Sequence, residues 1–149
     1  MQAISFKQLI MKYKFSLFFL SLFMFFSCKK DGGANEISLA NKMIVDKIWY
    51  LSYSQIITGS KVAEKNYLGQ STYFIKFLSN NTSVDSDGLN GTYSIERIED
   101  VLQLHVKAKT LSGNNVEYFY KVETLGAENM ILYFSNATTI NKFFYNTSH

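Results

Sequence analysis

Leu102-Gln103-Leu104-His105-Val106-Lys107-Ala108 alternates apolar and polar side chains without a break. A period of two sends Leu102, Leu104, Val106 and Ala108 to one face and Gln103, His105 and Lys107 to the other. That is a β-strand with one buried face. On its N-terminal side Tyr93, Ile95 and Arg97 alternate with Ser94 and Glu96, and Glu99-Asp100 makes the connecting turn. On its C-terminal side Ser112-Gly113-Asn114-Asn115 turns the chain into a further alternation, with Val116, Tyr118, Tyr120 and Val122 opposed to Glu117, Phe119, Lys121 and Glu123.

The pattern extends in both directions. Gly126 to Asn129 reverses the chain into Met130, Leu132 and Phe134, and a last strand covers about Thr139 to Tyr145. Upstream, Asp87-Gly88 is a strong hairpin signal after a weak strand at Thr82 to Ser86. Tyr73, Ile75 and Phe77 form another alternation, closed by Ser79-Asn80-Asn81. Trp49, Leu51 and Tyr53 form the first, closed by Thr58-Gly59-Ser60. Before it, Ser38 caps a short helix to about Lys47, with Leu39, Met43 and Ile44 on one side. About eight strands joined by turns, with no helix between them, specify an all-β antiparallel meander. Closure into a barrel removes its edges, and the chain has no proline with which to protect them otherwise. The expected domain is 38–149.

The N-terminal stretch reads differently. Lys7, Lys12 and Lys14 precede an apolar run from Phe15 to Phe26, which stops at Ser27-Cys28-Lys29-Lys30-Asp31. A basic start and a short apolar run make a secretory signal peptide, here 1–27. As a helix the run would rise about 18 Å, short of the ~30 Å hydrocarbon core of a bilayer. Met11 would serve equally well as the initiator, since Met11-Lys12-Tyr13-Lys14 is itself a basic start. Lys29 to Glu36, with Gly32-Gly33-Ala34-Asn35, reads as a polar, flexible tether within 28–37.

Removing the leader changes the charge balance. It carries three of the fifteen Lys and Arg and none of the twelve Asp and Glu, so the remainder is balanced. A neutral domain lacks the basic face that phosphate neutralisation needs, so nucleic acid is excluded as a partner. Cys28 is the single cysteine, and no disulfide can form within the chain.

Ser27-Cys28 at the end of the apolar run resembles the lipobox of bacterial lipoproteins. The resemblance implies lipidation of Cys28, membrane attachment through the acyl groups, and residence in the cell envelope. Two or more acyl chains anchor a protein stably where one does not. Lys29 stands where an aspartate would, in that family's sorting rule, retain the protein at the inner membrane; the resemblance implies the outer membrane, on its periplasmic or surface face. A second resemblance lies in Ile44-Val45-Asp46-Lys47-Ile48-Trp49-Tyr50-Leu51 and in Gly91-Thr92-Tyr93-Ser94-Ile95 followed by Leu102-Gln103-Leu104. These are similar to the opening helix and strand and to the middle hairpin of lipocalin-like domains. The likeness implies a small barrel with Trp49 packed across its closed end.

Candidate chemistry is sparse. His105 and His149 are the only imidazoles, and neither has the partners that metal or acid–base work requires. Asp85-Ser86-Asp87-Gly88 places its glycine fourth, where an EF-hand loop needs it sixth, so a hairpin turn is the reading. Glu99-Asp100 are adjacent turn residues rather than a catalytic pair. No catalytic residue, metal ligand or cofactor is expected, and the chain reads as non-enzymatic.

The aromatic residues remain. Tyr73, Phe77, Tyr93, Tyr118, Tyr120 and Phe134 fall on the inward faces, beside Trp49 and Tyr53. Buried tyrosines must satisfy their hydroxyls, which favours a wet or ligand-filled cavity. Eight strands leave an interior just wide enough for side chains or one small ligand, so a solid barrel stands as the alternative. The expected function is a lipid-anchored envelope module that binds a small apolar or amphipathic ligand. The rival is a protein-interaction or hydrolase-inhibitor module that uses its outer face or loops.

Overall fold

The computed structural model describes residues 32–148; the expected leader and Cys28 lie outside them. One helix, α1 (Gly32–Ile44), precedes nine strands: β1 (Lys47–Thr58), β2 (Lys61–Asn66), β3 (Phe74–Phe77), β4 (Thr82–Asp85), β5 (Asn90–Ile98), β6 (Val101–Lys109), β7 (Asn115–Leu125), β8 (Asn129–Ser135) and β9 (Thr139–Asn146). All pair antiparallel with sequence neighbours apart from β1, which pairs with β2, β3 and β9. The β1–β9 ladder closes the sheet into an eight-stranded lipocalin-like barrel with β2 as an extra strand.

β1 makes this closure possible by being long. One edge carries β9 from Tyr50 to Thr58; the other carries β3 from Lys47 to Tyr50 and β2 from Tyr53 to Thr58. β2 has no counterpart in the strands expected from sequence. Every residue in it is exposed, so it has no buried face to leave an alternating signal. Lys61, Glu64 and Lys65 give its outer edge the charge that discourages further pairing.

A bulge interrupts β1 at Ser52, between the pairs Leu51↔Tyr145 and Tyr53↔Phe144. The extra residue turns Tyr53 outward. There it stacks on Phe144, with ring centroids 4.0 Å apart. Ser52 is buried instead, and its Oγ accepts a hydrogen bond from Asn146 Nδ2 at 2.8 Å. Tyr53 is thus corrected from the inward to the outward face.

The core fills one end of the barrel. Trp49, Phe77, Tyr93, Leu104, Met130 and Leu132 interlock there, and Ala40 and Ile44 of α1 close the end. Phe77 and Tyr93 meet edge to face at 5.0 Å, and the Tyr93 hydroxyl donates to the Leu78 carbonyl at 3.0 Å. α1 begins at Gly32, six residues before the expected cap at Ser38, so residues 32–37 of the expected tether are helical. Glu36 in this added turn forms an ion pair with Arg97 of β5, and Ile37 packs against the core. The helix stops earlier than Lys47 because Val45 bridges to Phe77, and Asp46 adopts a left-handed backbone (φ 57°) with its N–H bonded to the Phe77 carbonyl.

Candidate functional site

The opposite end of the barrel is hollow. A cavity of about 220 Å³ lies there, beside the β4–β5 turn. At roughly 30 Å³ per water it has room for about seven waters or one small molecule. Its apolar wall comes from Leu51 on β1, Ile75 on β3, Val106 and Ala108 on β6, and Phe143 on β9. The period of two in β6 places Val106 and Ala108 inward, as expected, and Gly91 on the neighbouring strand lets Ala108 approach closely.

Three of the six aromatic residues expected to face a ligand line this cavity. Tyr73 and Tyr118 stand at its exposed rim, and Tyr120 is deeper. Tyr118 and Tyr120 stack with centroids 5.9 Å apart, as inward neighbours two residues apart on β7 should. Phe134 does not line the cavity; it backs it, 6.1 Å from Tyr120 and 5.9 Å from Phe143 between ring centroids. Phe77 and Tyr93 belong to the solid end of the barrel and are corrected to core residues. They face inward as expected, but α1 and Trp49 fill the space around them.

Tyr145 and Asp85 are among the cavity residues that escaped the sequence reading. Tyr145 lies opposite Leu51 in the closing ladder, a pairing that depends on how the barrel closes. Asp85 carries only a turn signal in the sequence. Its Oδ1 accepts the backbone N–H groups of Asp87 and Leu89, both at 2.9 Å, which fixes the carboxylate at the cavity wall. No hydrogen bond reaches its Oδ2 from the described residues.

The electrostatics of these groups are coupled. Burial pushes the Asp85 carboxyl up from its ordinary value, against the opposing pull of the two backbone N–H groups. Burial likewise pushes the hydroxyls of Tyr120 and Tyr145 well above the usual phenol range, with nearby tyrosines and the Asp85 charge adding to the effect. Both phenols therefore stay neutral and able to donate at physiological pH. Neither hydroxyl has a hydrogen-bond partner among the described residues.

His105 lies on the outer face of β6. It stacks on Phe119 at 4.0 Å and meets Glu117 Oε2 through Nε2 at 3.2 Å. Glu99 and Asp100 both have positive φ (49° and 62°) in the two-residue β5–β6 turn. None of the three lines the cavity.

No family model matches the chain, and neither a curated protein nor a solved structure does.

Proposed function

We propose that this chain is a lipid-anchored, non-enzymatic binding module of the cell envelope that holds a small amphipathic molecule in its barrel. The tyrosine-rimmed cavity at one end of an otherwise packed barrel carries this reading. A pocket with apolar walls and a few convergent polar groups is the usual form of a small-molecule site. The polar groups here include Asp85, Tyr120 and Tyr145, and the two phenol hydroxyls and the free carboxylate oxygen have no hydrogen-bond partner among the described residues.

The anchoring half of the proposal rests on Ser27-Cys28 after the apolar run. Acylation at Cys28 would tether the barrel to the outer membrane. Metabolic labelling with a fatty acid analogue is expected to mark the wild-type chain, and Cys28→Ser is expected to abolish the label and free the protein from membranes. A Cys28→Ser chain that stays labelled and bound defeats the anchoring reading. For the binding half, a solvent extract of the purified chain is expected to yield a small molecule in stoichiometric amount; an extract without one defeats it.

A further inference from the structure

The charge on the cavity wall has one sign. Asp85 and Asp87 line the cavity, and no lysine, arginine or histidine does so among the described residues. Tyrosine supplies the remaining polar surface apart from two serines, Ser83 and Ser86. A carboxylate brought out of water needs a countercharge or donors. Asp85 has donors at Oδ1 alone.

Electron-rich ring faces and a carboxylate select for the same thing. A cation over a tyrosine face is attracted by the ring quadrupole, and more strongly where water is excluded. Beside the cavity the protein already uses this contact: Lys65 Nζ sits 4.9 Å from the centroid of Tyr67, whose ring packs against Tyr73 at the rim. Lys65 is on β2, the extra strand, and is not among the residues that line the cavity.

We propose that the cavity binds a small organic cation, an ammonium ion with a short apolar tail, whose charge lies between the Asp85 carboxylate and the rings of Tyr118, Tyr120 and Tyr145. The tail occupies the apolar wall formed by Leu51, Ile75 and Val106. This inference rests on the reading of the cavity as a ligand site and names the chemistry that site selects. An anionic ligand would face Asp85 without any basic partner. A neutral one would leave Asp85 without its countercharge.

The test is a calorimetric titration of the whole chain with butyltrimethylammonium, hexanol and hexanoate, three molecules of similar bulk and different charge. The ammonium is expected to bind at least about tenfold more tightly than the other two, since it alone brings a countercharge to Asp85 and a cation to the tyrosine faces. Asp85→Asn is expected to remove that preference. Tyr118→Leu, at the exposed rim where folding tolerates change, is expected to weaken the ammonium several-fold. Equal or tighter binding of hexanol or hexanoate, or an Asp85→Asn chain that keeps the preference, overturns the cation assignment and leaves the cavity as a ligand site. Failure of all three to bind overturns the ligand site itself.

Discussion

Trp49 donates its indole N–H to the carbonyl oxygen of Ile44 at 3.0 Å. Ile44 is the last residue of α1, and its carbonyl is one of those a helix terminus leaves without an internal partner. The bond joins the helix to the first strand at the solid end of the barrel, and both side chains are fully buried. This end is filled by the core cluster, and the cavity near Asp85 lies at the other.

Trp49→Phe should therefore cost more than its lost volume. The variant leaves a cavity and an unpaired carbonyl, each with an expected penalty of about 1–3 kcal/mol. Urea unfolding should show the midpoint moving to lower concentration with an unchanged slope. A shift within error of wild type would contradict the role assigned to this pair.

Gly91 faces Ala108 across the β5–β6 ladder. A Cβ built on Gly91 would lie inside van der Waals contact of the Lys107 carbonyl and of the Ala108 Cα. Gly91→Ala must shift one strand against the other, and overpacking of this kind costs about 1–3 kcal/mol. Thermal unfolding is expected to show the loss. Gly113→Ala is the informative comparison, because its penalty would come from positive φ (83°) alone, with open space around the new methyl.

Glu99 and Asp100 occupy the two central positions of a tight hairpin, both in the left-handed region. That backbone suits Asn-Gly far better than Glu-Asp. The double variant Glu99→Asn with Asp100→Gly is expected to gain about 1 kcal/mol by removing this strain. The lost Arg97–Asp100 contact is exposed and contributes little. Equilibrium denaturation measures the gain.

Burial raises the Asp85 carboxyl pKa in the folded chain, so the folded state binds that proton more readily than the unfolded state does. The ionised carboxylate consequently lowers stability at neutral pH, and the loss fades as pH falls through the raised pKa. Asp85→Asn keeps an Oδ1 acceptor for the Asp87 and Leu89 N–H groups. It is expected to raise Tm at neutral pH and to give no advantage in acid below the ordinary carboxylate range. A Tm that drops at neutral pH would show that the charge supports the fold, contrary to this account. A site that gives up stability for a partly desolvated charge is a familiar exchange of stability for function.

The strands with one buried face were legible in the sequence, and the reasons for the exceptions are physical. Leu104, Val106 and Ala108 are buried where alternation puts them, and Tyr118 and Tyr120 point inward by the same period. Tyr53 does not, because one bulged residue at Ser52 reverses the faces without leaving a mark in the composition. β2 left no trace because nothing in it is buried. Phe77 and Tyr93 have the same alternation as the cavity tyrosines; only the placement of α1 decides which end is filled. Asp85 reads as a turn residue, and its position at the wall follows from barrel closure rather than from local pattern.

The central claim is that the cavity holds a small molecule. Ala108 is a buried wall residue, and a phenylalanine there would project into the cavity. A native mass spectrum of the wild-type chain, purified from the cells that make it, should show a small-molecule adduct. The Ala108→Phe chain, folded by circular dichroism, should show none. A wild-type spectrum without an adduct, or the same adduct on both chains, would contradict the account.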